Sequence, residues 1–125
     1  PVVSFAEFEG SNATAVRIEP GDDARALLPH LDRLTLVEVT FPAFRDGRGY
    51  SSARILREAG YTGELRAAGD VLVDQVPFMQ RCGFSSFAPN VPLDEAVVAK
   101  LTSIYSNVYQ AAADGAVPVW KLRHG

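Results

Sequence analysis

Four times along the chain a short apolar or β-branched run is followed by a glycine or proline break and then by apolar residues at helical spacing. This alternation restricts the fold more than any other feature. The runs are 15–18, 35–41, 64–68 and 84–87. Strand-helix units joined by short connections require a largely parallel sheet with right-handed crossovers. The expected class is therefore α/β, with about four βα units arranged as half of a (β/α)8 barrel or as a small doubly wound sheet, all four runs parallel. In either arrangement ligands sit outside the carboxyl ends of the strands, which here are 43–49, Gly69-Asp70 and 88–90.

The helices have readable ends. Asp22 or Asp23 is expected to cap a helix carrying Ala24, Leu27, Leu28 and Leu31 on one face, with Pro29 ending or kinking it near Leu28. Ser51 or Ser52 is expected to cap the next, with Ala53, Leu56 and Gly60 at helical spacing and Gly60 as its C-cap. The third is placed from Asp74, so that Pro77 falls in the first turn, where its missing donor has no intrahelical partner. The longest helical pattern runs over 93–113, with Val97, Leu101, Ile104 and Val108 as one stripe. Residues 1–13 read as an edge strand or docked arm. Residues 114–125 read as an edge strand or extended tail, in which Pro118 favours an edge.

At 125 residues and 47% hydrophobic content the chain can bury one core, so a single domain over 1–125 is expected. A net charge of -3, with no basic run, argues against a nucleic-acid surface. The single cysteine, Cys82, rules out an internal disulfide and any thiolate-only metal or iron-sulfur site built by this chain alone. It lies between Met79 and Phe84 late in a helical pattern and reads as a buried thiol. No apolar segment is long enough to span a membrane, and a reducing cytoplasm is the expected compartment.

The stretch 36–57 is the densest candidate for a site. Leu36, Val37 and Val39 suit a strand covered on both faces, and Pro42 stops it. In the loop that follows, Gly47 and Gly49 are expected to supply positive φ. Arg45 and Arg48 stand beside the next helix N-terminus. Free N–H groups, a positive dipole end and two guanidinium groups make an anion site of Arg45, Gly47, Arg48, Gly49 and Ser51. The competing reading is a solvated turn, capped by Asp46, whose arginines pair with neighbouring carboxylates.

Phe41-Pro42, Phe44, then Asp46-Gly47-Arg48-Gly49-Tyr50-Ser51 with Ala53-Arg54 and Leu56-Arg57, resembles the family known as domain of unknown function 934. So do Gly60-Tyr61, Gly63-Glu64-Leu65-Arg66-Ala67, Gly69-Asp70-Val71, Asp74-Gln75, Arg81-Cys82-Gly83-Phe84 and Tyr109-Gln110, over roughly residues 34–110. Members of that family carry the label oxidoreductase of sulfite reduction and are encoded beside assimilatory sulfate-reduction enzymes. The label implies a process, not a demonstrated reaction. Glu38 and Pro77 stand where apolar residues are expected in the family.

No cofactor is evident in the sequence. There is no Gly-x-Gly-x-x-Gly after a strand, no Cys-x-x-Cys and no Walker phosphate loop, and His30 and His124 are isolated, so no metal site is expected. The expected function is an accessory protein of assimilatory sulfate and sulfite reduction that binds a small oxyanion or a partner, sulfite reductase or another sulfur-assimilation enzyme. The alternative is a small enzyme acting on an anionic sulfur compound or phosphorylated metabolite, with Arg45 and Arg48 as clamps and Asp46 or Asp70 as general base. Open sheet edges also lead us to expect a homo-oligomer, with Val117, Val119 and Trp120 as candidates for covering one edge.

Overall fold

The computed structural model describes residues 2–42, 47–90, 105–111 and 118–122. Strands β1 (Val3–Ser4), β2 (Ala15–Ile18), β3 (Leu36–Phe41), β4 (Glu64–Gly69) and β5 (Ser86–Pro89) pair in parallel and in sequence order. A hairpin of β6 (Tyr105–Ala111) and β7 (Pro118–Leu122) extends the sheet, giving the order β1-β2-β3-β4-β5-β7-β6 with β7 antiparallel to both neighbours. The helices are α1 (Phe5–Phe8), α2 (Arg48–Glu58) and α3 (Val76–Cys82), with 3-10 helices over Ala24–His30 and Val73–Gln75. The fold is α/β and the sheet is open. Its order runs from β1 to β5 without reversal, so right-handed crossovers put the helices on one face, the connectivity of half a (β/α)8 barrel.

That face holds the core. Val16, Ile18, Val37, Val39, Phe41, Leu65, Ala67 and Phe87 alternate along β2 to β5. They are buried in one cluster with Ala53 and Leu56 of α2 and Val76 and Met79 of α3. The residues between them face the other way. Arg17, Glu38, Arg66, Ser86 and Lys121 lie in register across five strands. Glu38 occupies the strand interior, where an apolar residue was expected, because two arginines hold it. Its carboxylate oxygens lie 2.8 Å from Arg17 Nε and 3.5 Å from Arg66 Nη1. Arg66 Nη2 reaches Glu64 at 3.0 Å, which also accepts from the Ser86 hydroxyl at 2.7 Å.

Several expectations need correction. The helix expected after Asp22-Asp23 is a 3-10 helix over Ala24–His30: Asp23 caps it by accepting from the Arg25 N–H at 3.0 Å, Pro29 lies inside it and Leu28 is exposed. Helix α2 starts at Arg48 with Gly47 at its N-cap, so Ser51 and Ser52 lie inside it and do not cap it. Helix α3 begins at Val76, two residues beyond Asp74, behind the 3-10 turn; Pro77 does fall in its first turn. Strand β5 begins at Ser86 instead of Phe84.

The helix expected over 93–113 is a strand at Tyr105–Ala111, and 93–104 and 112–113 lie outside the described residues. Tyr105, Val108 and Tyr109 favour strands, and pairing with β7, with Tyr109 opposite Trp120, decides the matter. Strand β7 is not an edge. It covers the free side of β5 within the same chain, with Val119 buried, while Val117 lies outside the described residues.

Candidate functional site

The rim at the carboxyl ends of β2 to β5 is built on two close approaches. Gly69 has φ 102, and a Cβ there would stand 2.5 Å from the Phe41 carbonyl oxygen. The Asp70 N–H donates to that same oxygen at 2.7 Å, and the Asn90 N–H donates to the Gly69 carbonyl at 2.8 Å, so three strand ends are laced together. Gly49 plays another part than expected. Neither it nor Gly47 has positive φ. A Cβ on Gly49 would meet the Phe41 ring at 2.5 Å, so its lack of a side chain lets the first turn of α2 rest on the end of β3.

Between that turn and the loop after β2 lies a cleft of about 190 Å³ lined by Arg48, Gly49 and Ser51 on one side and Glu19, Asp22 and Arg25 on the other. Gly47 caps α2 with no side-chain hydrogen bond. First-turn N–H groups have no acceptor within a helix, so the positive end of α2 is directed toward the rim. The carboxylates opposite are partly committed to their own loop. Asp22 accepts from the Glu19 N–H at 2.8 Å, and Asp23 accepts from the Arg25 N–H at 3.0 Å.

The structure thus brings together Arg48, Gly49 and Ser51, with Gly47 at the cap. Asp70 sits at the end of β4 and does not line the cleft; Arg45 and Asp46 lie outside the described residues. Arg25 was missed. Its loop, opened by Pro20-Gly21, follows the end of β2, and the strand-end rule applied there would have found it.

The opposite end of the sheet uses its polar groups differently. From the last turn of α2, Arg57 donates through Nε to the Gly83 carbonyl at 2.8 Å and through Nη1 to the Tyr61 and Gly63 carbonyls, both at 2.9 Å. The Tyr61 hydroxyl donates to the Glu64 carbonyl at 2.9 Å, and burial, against the charge of Arg57, pushes it up to about 12. Burial would raise the Glu64 carboxyl, but the Ser86 hydroxyl together with Arg66 and Lys121 outweighs it and holds that group below its ordinary range. Arg57 itself is lowered by burial.

On the other side of α2 from the cleft, a hollow of about 320 Å³ separates α2 from α3. Tyr50 packs at a tilt between Phe41 and Phe78, with centroids 5.2 and 5.1 Å away, and Phe78 is 48% exposed. Cys82 lines the hollow but is buried, as its sequence setting indicated. Among the described residues, no group of three or more His, Cys, Asp or Glu side chains could hold a metal, and no helix is long and apolar enough to cross a membrane.

An open, singly wound α/β sheet with its cleft at the carboxyl rim defines the class of protein. The family described as "Bacterial protein of unknown function (DUF934)" matches residues 15–120, and the chain belongs to it. No curated protein and no solved structure matches the chain.

Proposed function

We propose that the protein is an accessory component of assimilatory sulfite reduction that binds a small oxyanion at the rim and serves a partner enzyme of that process, sulfite reductase or a neighbour in sulfur assimilation. The process comes from the resemblance of its motifs to a family labelled in that way. One observation carries the binding: the eleven-residue helix α2 opens, without a side-chain cap, on a cleft flanked by Arg48 and Arg25. Helix N-termini and guanidinium groups both favour oxyanions, and together they offer charge-assisted bonds to a sulfate-like group. Asp70 does not line this cleft, so the alternative of general-base catalysis would there have to use another carboxylate than Asp70.

Calorimetric titration with sulfate, sulfite and phosphate at low salt tests the reading. Binding should weaken as salt is added, and Arg48→Ala should remove about 1.5–3 kcal/mol of it. Negligible heats for both proteins would leave the loop a solvated turn.

A further inference from the structure

We infer that the groove between α2 and α3 docks an acidic segment of a partner protein, anchored by one apolar side chain against Phe78. The inference rests on the accessory-protein reading but not on oxyanion binding at the rim.

Phe78 is the most exposed large apolar side chain among the described residues, at 48%. It is nevertheless held in place. Phe84 meets Phe41 at 5.7 Å, Phe41 meets Tyr50 at 5.2 Å and Tyr50 meets Phe78 at 5.1 Å, so a row of rings runs from the core to the surface and ends there. A ring fixed in this way loses little freedom when a partner covers it, which is the property of a pre-organised anchor.

Charge selects the partner. Two adjoining hollows, of about 320 and 310 Å³, share Arg54, Glu58 and Cys82, and their walls add Arg57 and Arg81. Three arginines therefore face one carboxylate, on a chain whose net charge is -3. Arg57 is occupied by carbonyl oxygens yet keeps its charge, Arg81 stands 5.8 Å from the Phe78 ring centroid, and Arg54 makes no ion pair among the described residues. Exposed aromatics beside arginines are the composition of interface hot spots. From Tyr50 to Glu58 the groove follows α2 for about 12 Å, the reach of about four extended residues. That length suits a peptide segment better than a single small anion.

Fluorescence anisotropy tests this, with a short labelled peptide carrying one tryptophan flanked by aspartates and glutamates, and the same peptide with lysines in place of the acids. The acidic peptide should bind, more weakly as salt rises, and the lysine peptide should not. Phe78→Ala and Arg54→Glu should each weaken binding by about tenfold or more. Both residues are exposed, and circular dichroism would confirm that the variants fold. Arg48→Ala should leave peptide binding unchanged while weakening oxyanion binding, so the two sites fail independently. No binding, equal binding of the two peptides, or binding undiminished in both groove variants would overturn the inference. So would self-association abolished by Phe78→Ala, which would assign the groove to a second copy of the chain.

Discussion

Helix α2 carries an arginine at each end, and the two ends of the sheet put them to opposite uses. At the amino end Arg57 is half-buried and bonded to three carbonyls that belong to the turns entering β4 and β5. At the carboxyl end Arg48 is exposed on a cleft, and the loops around it are held by backbone hydrogen bonds and by glycines packed on Phe41. One end uses its side chains for stability. The other sets its arginine on the wall of an open cleft, as is usual for the carboxyl face of βα-built sheets.

The contrast breaks most visibly if Arg57 is removed. Arg57→Ala strands three carbonyl acceptors and should cost about 3–4 kcal/mol in urea denaturation, enough to lose much of the stability of a domain this size. It is therefore a poor control for oxyanion binding at the rim; Arg54→Ala, on the exposed face of α2 and outside the rim cleft, is a better one for that site. Gly69→Ala comes next, at about 3 kcal/mol, because a Cβ meets the Phe41 carbonyl at 2.5 Å with φ at 102.

Two pH limbs sharpen the picture of the structural end. The Glu64 carboxyl is held below its ordinary value of 4.5, so its contribution is complete above that pH and is lost as pH falls through the lowered folded value. Glu64→Gln should flatten this acid limb. Tyr61 is raised from 10.0 to about 12, so its contribution is complete below pH 10 and is lost as pH rises toward 12; Tyr61→Phe should flatten that alkaline limb. Chemical denaturation across pH measures both. The smallest effect on stability belongs to the rim: Arg48→Ala should change it by no more than about 0.5 kcal/mol, although binding falls.

Much of this scaffold was legible in the sequence. The parallel runs, Gly60 after the end of α2 and Pro77 in the first turn of α3 all follow from local rules that tertiary structure did not override. The two arginines were not separable. Their chemistry is identical, and the Gly83 carbonyl that engages Arg57 lies 26 residues away in sequence, beyond the reach of any local pattern. Gly49 was marked as special for the wrong reason, since close approach and positive φ both demand glycine and only packing distinguishes them. In β6 the spacing of Tyr105, Val108 and Tyr109 imitates a helical stripe, and only pairing with β7 reveals the strand.

The measurement that bears most directly on the rim is a backbone-amide NMR titration with sulfate at low ionic strength. The account predicts saturable shifts concentrated at Arg48, Gly49, Tyr50 and Arg25, absent in Arg48→Ala and undisturbed in Phe78→Ala. Shifts centred on Arg54 and Arg81 instead, or no saturable shift at the start of α2, would contradict it.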